Sequence, residues 1–264
     1  MLHSLPSCGT GAVEPDTRRK ADYESSCGNN FVNTTRFEFF VPFNMSFRNP
    51  STPFTGIRHA AVIVAHPDDE TLWAGGLMLM HPECTWTVVS VCRASDRERA
   101  PKFFKAVQRL GASGQMDDLD DSPEQHPLTQ GKLHRSIVSA LPPAKYDLIL
   151  THGLRGEYTR HRRHEEVSQA VAFLWENSRI TAEQLWMFAY EDGGKSYLPR
   201  SIRNAHYRFP LPDEIWEKKY RIVTEDYGFE PDTFEARTTP REEAFWCFGS
   251  PAQLRKWMDK EIRE

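Results

Sequence analysis

The strongest constraint on the fold is an apolar segment that ends abruptly in charged residues. Residues 60–65 are Ala-Ala-Val-Ile-Val-Ala, a sequence typical of a buried strand, and residues 66–70 are His-Pro-Asp-Asp-Glu. Burying charged side chains is costly unless they are paired or coordinate a metal. An imidazole and several carboxylates at the end of a buried strand therefore favour a divalent-metal site. Taken alone, Asp68 and Asp69 could instead cap the following helix by accepting hydrogen bonds from its free N–H groups.

Composition argues against several other classes of protein. The 264-residue chain has a net charge of −4, which gives no reason to expect nucleic acid or an anionic membrane surface as a partner. No segment approaches the roughly 20 apolar residues that a membrane span requires. The five cysteines are scattered without CxxC spacing, and residues 1–8 lack the pattern of a secretory signal. We therefore expect a cytoplasmic protein with reduced thiols.

The order of apolar patterns along the chain predicts an α/β fold. Short apolar runs predict strands at residues 59–65, 85–91, 146–151 and 184–190. Helical spacing of apolar residues predicts helices between and after these strands, at residues 70–80, 99–110, 133–141 and 165–175. Such alternation is typical of a Rossmann-like three-layer sandwich with a mostly parallel sheet. In such sheets, ligands bind beyond the carboxyl ends of the strands.

The remaining segments set the expected domain organisation. Residues 1–35 are rich in Gly, Ser, Asn and Pro and are predicted to form a flexible N-terminal arm. Residues 36–264 are predicted to form a single α/β domain. Its first element is a possible edge strand at residues 36–43, because a proline interrupts this apolar run.

Two parts of this domain are expected to lack strands. Residues 113–130 are predicted as an acidic loop, with the aspartate-rich stretch 117–121 exposed to solvent. Beyond about residue 200, the pattern predicts a C-terminal extension of helices and loops. Its best helices are expected at residues 210–223 and 251–262.

A second polar segment follows the third predicted strand. Residues 151–164 begin with Thr-His-Gly and end with His161-Arg-Arg-His164, just before an amphipathic helix. If helical, His161 and His164 would share a face because they are three residues apart. With His66 and one aspartate they could supply three metal ligands, and three protein ligands plus an open position are typical of catalytic zinc. A nearby carboxylate could then act as general base toward a metal-activated water.

The segment Ala-His-Pro-Asp-Asp-Glu, residues 65–70, resembles the signature of the PIG-L/LmbE-like N-acetylglucosaminyl deacetylases. These are zinc hydrolases that remove an acyl group from amino sugars and related amides. The resemblance continues through Arg99 and Leu110-Gly111, then through residues 147–152, and finally from Gly-Glu-Tyr at residues 156–158 to the two histidines. It covers about residues 58–195. It implies a metal-dependent hydrolase that deacetylates an N-acetyl amino sugar or a related amide by attack of a zinc-activated water.

The resemblance also implies a role for each matching residue of the reaction centre. His66, Asp69 and His164 look like the three zinc ligands. Asp68 corresponds to the general base that deprotonates the zinc-bound water. His161 corresponds to a histidine that stabilises or protonates the tetrahedral intermediate.

Substrate binding is expected at Arg99, Glu157 and Tyr158, and one nearby residue departs from the family pattern. Where the family commonly has His-Pro-Asp-His, this chain has Arg163 in place of the aspartate that would orient the first histidine. A positive neighbour disfavours the protonated form of His161. Glu157 or another carboxylate could compensate.

Two alternatives to this function remain open. The same site could belong to an amidase acting on another acylated natural-product or surface-polysaccharide conjugate. The arginines at positions 155, 160, 162 and 163 could favour an anionic substrate, or they could form a solvated basic loop. The second alternative is a catalytically silent metal- or sugar-binding protein, which Arg163 alone supports.

The implied cofactor is Zn²⁺, although a mixed nitrogen and oxygen ligand set also suits another divalent ion such as Fe²⁺. The expected partner is a small-molecule or glycoconjugate substrate. Neither nucleic acid nor a membrane span is expected, and an oligomer is compatible with the sequence.

Overall fold

The structure, a computed structural model, describes residues 54–261 of the chain. Its strands in chain order are β1 (His59–Val64), β2 (Thr85–Cys92), β3 (Ala112–Leu119), β4 (Lys145–Thr151), β5 (Thr181–Phe188), β6 (Tyr190–Glu191), β7 (Arg200–Ser201), β8 (Tyr207–Pro210) and β9 (Glu242–Phe248). Strands β6 and β7 pair with each other, and the other seven form the central sheet.

The helices connect these strands. In chain order they are α1 (Asp69–Met80), α2 (Arg99–Arg109), α3 (Gln130–Ala140), α4 (Arg162–Glu176), α5 (Asp213–Arg221), α6 (Phe234–Thr238) and α7 (Pro251–Glu261). A π-helical turn, Ile222–Asp226, continues α5. No helix within residues 54–261 is long and apolar enough to cross a bilayer.

The predicted Rossmann-like α/β fold is confirmed. The strand order is β3-β2-β1-β4-β5-β9-β8, with parallel pairing from β3 to β5 and antiparallel pairing of β9 with β5 and β8. The chain builds one half of the sheet outward from β1 and then returns to start the other half at β4. The switch point between β1 and β4 is where sheets of this kind bind their ligands.

Strand β1 lies at the centre of the three layers, which explains its uninterrupted apolar sequence. Val62 packs with Trp73 and the residues of α1 and α2 on one face of the sheet. The next residue, Ile63, packs with Val171 and the residues of α3 and α4 on the other face. Because both faces of this strand are buried, its sequence does not alternate between apolar and polar residues.

The predicted loop at residues 113–130 is wrong over its first part, because β3 extends to Leu119. In the described part of the chain, β3 is the strand at one end of the sheet and most of its side chains are half-buried or exposed. Its sequence, Ala-Ser-Gly-Gln-Met-Asp-Asp-Leu, therefore lacks the apolar run that marks the inner strands.

The prediction of only helices and loops after residue 200 also needs correction. Strands β8 and β9 extend the sheet next to β5, and the predicted helix at 210–223 begins only at Asp213 because Pro210 ends β8. The last predicted helix corresponds to α7. Strands β6, β7 and β8 follow β5 with no helix between them, so this region breaks the strand–helix alternation from which the other strands were predicted. The predicted arm at residues 1–35 and the possible strand at 36–43 lie outside the described residues.

Candidate metal centre and active-site cavity

Three side-chain atoms converge at the switch point of the sheet. His66 and Asp69 follow β1, and His164 lies in the first turn of α4, which begins beyond the end of β4. His66 Nδ1 lies 3.1 Å from Asp69 Oδ2 and 3.2 Å from His164 Nε2, and the latter two atoms are 3.3 Å apart. Neighbouring ligands of a tetrahedral ion with bonds of about 2.0–2.1 Å are about 3.3 Å apart. The triangle therefore fits one face of a zinc-like coordination sphere.

The outer nitrogen of each histidine in this triangle is held by a carboxylate. His66 Nε2 donates to Asp121 Oδ1 at 2.9 Å, and His164 Nδ1 donates to Glu157 Oε2 at 2.6 Å. Such partners fix the ring orientation and make the inner nitrogen a better ligand. Burial opposes the charged form of His164, but Asp69 and Glu157 raise its pKa to about 10. Two anionic groups thus favour a positive charge at this point, which a metal ion would supply.

A third histidine, His152, lies against the triangle but has no nitrogen left for a metal. The Ala65 N–H donates to His152 Nε2 at 2.9 Å, so the ring carries its proton on Nδ1. That proton is donated to Glu157 Oε2 at 2.9 Å. Burial, followed by the charge of His164, lowers the pKa of His152. His152 is therefore a neutral residue that orients Glu157, and through it His164.

Asp68 lies beside the triangle and lines the adjacent cavity. Its backbone has φ of 117°, a left-handed conformation that is strained for a residue other than glycine, and such strain is often found at functional sites. Arg99 Nη1 lies 3.2 Å from Asp68 Oδ2. Burial and the neighbouring Asp69 raise the pKa of Asp68 well above its usual range. The arrangement gives a positioned carboxylate with a high proton affinity.

His161 also lines the cavity, immediately before α4. Its Nδ1 is buried and has no hydrogen-bond partner within residues 54–261. Burial, with the charges of His164 and His66, lowers the pKa of His161 to about 3. Glu157 does not compensate for the missing orienting carboxylate, because it hydrogen-bonds to His152 and His164 instead. His161 is therefore neutral at physiological pH.

Arg163 does not act on His161 in the way that its sequence position suggested. Its guanidinium is fully buried and pairs with Asp120 at 3.1 Å and with Glu166. It also donates to the carbonyl oxygens of Asp120 and His126. Arg163 thus links the segment after β3 to α4. The low pKa of His161 comes instead from burial and the other histidines.

The cavity beside the triangle has a volume of about 820 Å³. Its lining includes two arginines, Arg93 and Arg99, and the aromatic side chains of Tyr158 and Phe234. Seven lining side chains are carboxylates: Asp68, Asp69, Asp96, Asp118, Asp120, Asp121 and Glu235. The surroundings of a bound substrate are therefore acidic.

The structure brings most of the predicted site residues together, with one exception. Arg99 and Tyr158 line the cavity as the resemblance implied, but Glu157 does not. Glu157 is fully buried behind His164 and also accepts from the Gly153 N–H at 2.9 Å. Its position corrects the prediction that it binds substrate, because it cannot reach one without displacing the histidines. Glu157 instead supports a candidate ligand.

Sequence reasoning missed two contributions to the site. Asp121 was predicted to be a solvated loop residue, but it binds His66 and lies 2.7 Å from Arg93 Nη2. Burial opposes its ionisation, yet His66 and Arg93 lower the pKa of Asp121 to about 2. Phe234 and Glu235 enter from α6, far along the chain. The acidic sequence around Asp121 was visible, whereas nothing in the five residues of α6 signals a site.

Comparison with known proteins supports the family resemblance at the level of the fold. No family model matches the chain. Uncharacterized protein L374 of Acanthamoeba polyphaga mimivirus is 22% identical over 178 residues, which cover 61% of this chain and 75% of the viral protein. Among solved structures, N,N'-diacetylchitobiose deacetylase from Pyrococcus horikoshii has a TM-score of 0.57 and 13% identity, over 77% of this chain and 88% of the deacetylase.

Two further structures share the architecture. The zinc-inhibited form of teicoplanin deacetylase Orf2 has a TM-score of 0.52 and 13% identity, over 72% of this chain and 97% of that chain. GalB, the 4-carboxy-2-hydroxymuconate hydratase of Pseudomonas putida KT2440, has a TM-score of 0.51 and 16% identity, over 72% and 96%. The chain shares its fold with deacetylases. Because a hydratase has the same fold, the reaction has to be argued from the site itself.

Proposed function

We propose that the protein is a metal-dependent hydrolase that deacetylates an N-acetyl amino sugar or a related amide. The observation that carries this proposal is the convergence of His66, Asp69 and His164 beside the cavity-lining carboxylate of Asp68. Three ligands on one side of an ion leave a position free toward the cavity. A buried carboxylate at that position is the group that amide hydrolysis needs for proton transfer.

The three converging atoms would hold a divalent ion, which when bound would polarise the amide carbonyl and acidify a water molecule. Asp68 carries out the proton transfers. Its raised pKa makes its carboxylate a base strong enough to accept a proton from the attacking water. The protonated carboxyl group then donates that proton to the departing amine nitrogen. Arg99 keeps Asp68 in place during both steps, and no covalent intermediate is required.

His161 has a different role from a proton donor in this scheme. With a pKa of about 3, its ring is neutral and gives up no full proton at physiological pH. A neutral imidazole still carries one N–H, which can donate a hydrogen bond to the amide oxygen as negative charge develops there. We therefore assign the proton transfer to Asp68 and the stabilisation of the oxyanion to His161.

Metal content and amine release test the proposal together. Elemental analysis of the full-length protein should find about one divalent ion per chain. The metal-loaded protein should release acetate and free amine from at least one member of a panel of N-acetyl amino sugars, and a chelator should abolish this release. A protein without stoichiometric metal, or with metal but no hydrolysis of any acylated amine, would contradict the proposal.

Histidine variants provide the matched control for that experiment. His164→Ala removes one of the three converging atoms and should lose both metal and activity. His134 stacks on Phe173 at the surface and contacts no site residue in the described chain, so His134→Ala should keep both. Equal losses in the two variants would indicate a general effect on folding rather than loss of a ligand.

The alternatives predict different outcomes of the same measurements. An amidase acting on another acylated conjugate would use the same residues and release amine from that conjugate instead. A silent metal- or sugar-binding protein would retain metal without turnover. The support for this last alternative was Arg163, and its pairing with Asp120 and Glu166 gives that residue a structural role instead.

A further inference from the structure

One carboxylate of the cavity has no part in the chemistry proposed above. Glu235 lines the cavity, and within residues 54–261 no group hydrogen-bonds or pairs with its side chain. The other six lining carboxylates all have partners in the described chain. Asp68, for example, is held by Arg99, and Asp121 is held by Arg93 and His66. Among the residues that the structure describes, Glu235 is therefore the lining carboxylate that is free to bind a ligand.

The backbone that carries Glu235 is nevertheless fixed. The Thr233 hydroxyl accepts from the Ala236 N–H at 3.4 Å, and the Thr239 hydroxyl donates to the Glu235 carbonyl oxygen at 3.0 Å. The side chain of Ala236 is buried against the core. Because the backbone is already ordered, only the side chain of Glu235 has to lose conformational freedom when it binds a ligand.

An exposed aromatic ring lies next to this carboxylate in the cavity wall. Phe234 is 39% exposed, although phenylalanine is usually buried. Its ring packs edge-on against Tyr158, with ring centroids 5.0 Å apart, and both residues line the cavity. The apolar face of a sugar ring can pack on such a surface, and its hydroxyl groups can donate to a neighbouring carboxylate. An aromatic surface next to a carboxylate suits a sugar better than a purely apolar ligand.

Charge in the cavity restricts which sugars would bind. The seven lining carboxylates outnumber the two arginines, so a divalent ion would still leave the cavity with a negative balance. Both Arg93 and Arg99 are already paired, with Asp121 and Asp68. In the basic segment before α4, Arg160 pairs with Glu165. A phosphate group on the substrate would therefore meet carboxylates and no unpaired cation of the lining.

We propose that Glu235 and Phe234, with Tyr158, form the subsite for the sugar ring that bears the amide, and that this subsite selects neutral or cationic amino sugars over phosphorylated ones. The inference rests on the proposed deacetylase function and adds the residues that choose its substrate. The ring packs on Phe234 and Tyr158, and its hydroxyl groups donate to Glu235. After hydrolysis, the same carboxylate attracts the ammonium group of the product.

The first test measures substrate selection by the metal-loaded full-length protein. The probes are N-acetylglucosamine, its 6-phosphate, and a chitobiose that carries one free amine and one N-acetyl group. Glu235→Gln keeps the shape of the side chain but removes its charge. We expect it to raise KM for the neutral and cationic probes about tenfold, with kcat changed less than about twofold, because hydrogen bonds to a charged acceptor are lost. The KM for the phosphorylated probe should stay the same or fall.

Two matched controls accompany this test. Glu230 is exposed on the same segment and does not line the cavity, so Glu230→Gln should leave every KM unchanged. Phe234→Ala should raise KM about fivefold through lost aromatic packing. Phe104 is 48% exposed outside the cavity, and Phe104→Ala should have no such effect. A wild-type preference for the phosphorylated probe, or unchanged KM values in Glu235→Gln, would overturn the proposal.

A binding measurement separates failure of this inference from failure of the proposed function. If the wild-type protein hydrolyses none of the probes, the proposed function fails, and glucosamine is titrated into the metal-loaded protein by calorimetry. Binding that weakens about tenfold in Glu235→Gln, but not in Glu230→Gln, would still support the subsite. Equal binding of glucosamine to the wild type and Glu235→Gln, or no binding to either, would overturn it.

Discussion

Helix α1 contacts two clusters of buried charge, and they differ in how their polar atoms are used. Beside the second half of α1, Lys219 Nζ lies 2.7 Å from Glu243 Oε1, and both side chains are fully buried. Glu243 also accepts from the N–H groups of Gly76 and Leu77, each at 2.7 Å. Every oxygen of this carboxylate is thus satisfied within the protein. The pair is a closed interaction that joins α1, α5 and β9.

The cluster at the start of α1 has its outer nitrogens held by carboxylates, and its inner atoms converge on one point. The outer nitrogens of His66 and His164 are bound by carboxylates, while their inner nitrogens and Asp69 Oδ2 point toward one another. Partners on the outside and converging lone pairs on the inside are the arrangement of a ligand site. Burial of charge alone therefore does not mark a functional site. A functional site is marked instead by several possible ligand atoms that the protein orients toward one shared point, as it does for His66, Asp69 and His164.

The largest effect should separate catalysis from metal binding within the first cluster. Asp68→Asn removes the proposed base while leaving the three converging atoms intact. We expect kcat to fall about 10³-fold, or about 4 kcal/mol, as is typical for loss of a general acid–base group. Metal content by elemental analysis should be unchanged. Full activity in a metal-replete Asp68→Asn protein would remove Asp68 from the mechanism.

The second prediction concerns the closed pair. Lys219→Met leaves Glu243 buried without its counter-charge, and the free energy of unfolding in urea should fall by about 3 kcal/mol. The double variant Lys219→Met, Glu243→Gln should recover at least half of this loss because no unpaired charge remains. Metal content of the folded protein should not change. If Lys219→Met had an unchanged free energy of unfolding, or if it lost metal while remaining as stable as the wild type, the two clusters would not have these separate roles.

Removing the metal should destabilise the protein through the first cluster alone. At a free metal concentration of 100 times Kd, binding stabilises the folded state by about 2.7 kcal/mol. We therefore expect the chelated protein to unfold at a lower temperature, by calorimetry, than the metal-loaded protein. The stabilisation by metal should be the same in Lys219→Met as in the wild type, because the effects of distant sites on stability are additive. A melting temperature independent of metal in the wild type would argue against a bound ion.

The smallest effect should come from Asp121, which orients His66 without being a candidate ligand. Asp121→Asn should weaken metal affinity about 10–100-fold, as found for partners of ligating histidines. Competition with a chromophoric chelator measures this. Asp118 also lines the cavity, but its side chain bonds only to Ser95 in the described chain, so Asp118→Asn should change the affinity less than about twofold. Equal losses would mean that overall acidity, rather than the contact with His66, sets the affinity.

How much of this could be predicted from sequence depends on how local each signal is. Strand β1 is buried on both faces, so its apolar run and the polar residues after it were recognisable together. The histidines of the second segment follow β4, whose central residues Leu-Ile-Leu are also apolar and buried. Parallel strands end at the same edge of a sheet, so the two polar segments could be predicted to lie at one edge, whereas the choice of His66, Asp69 and His164 as ligands came from the family resemblance.

The features that were missed lack such local signals. Strand β3 has one partner in the described sheet and few apolar residues, so its sequence resembles a loop, and Asp121 was assigned to solvent with it. Glu235 lies in a helix of five residues, about 170 positions after His66, and reaches the cavity only through tertiary packing. Likewise, the buried orientation of the Arg163 side chain depends on its ion pair with Asp120, in the segment after β3. No pattern within one segment contains these contacts.

The position of β3 also has a consequence for the behaviour of many copies of the chain in one solution. Within the described residues, β3 ends the sheet, and a strand edge without a neighbour is a template for pairing with another molecule. Asp117 and Asp118 place two negative charges on this strand, with Asp118 exposed. A second copy that added its own strand there would have to desolvate those charges and bring them near its own. The acidity that shapes the cavity therefore also discourages edge-to-edge aggregation.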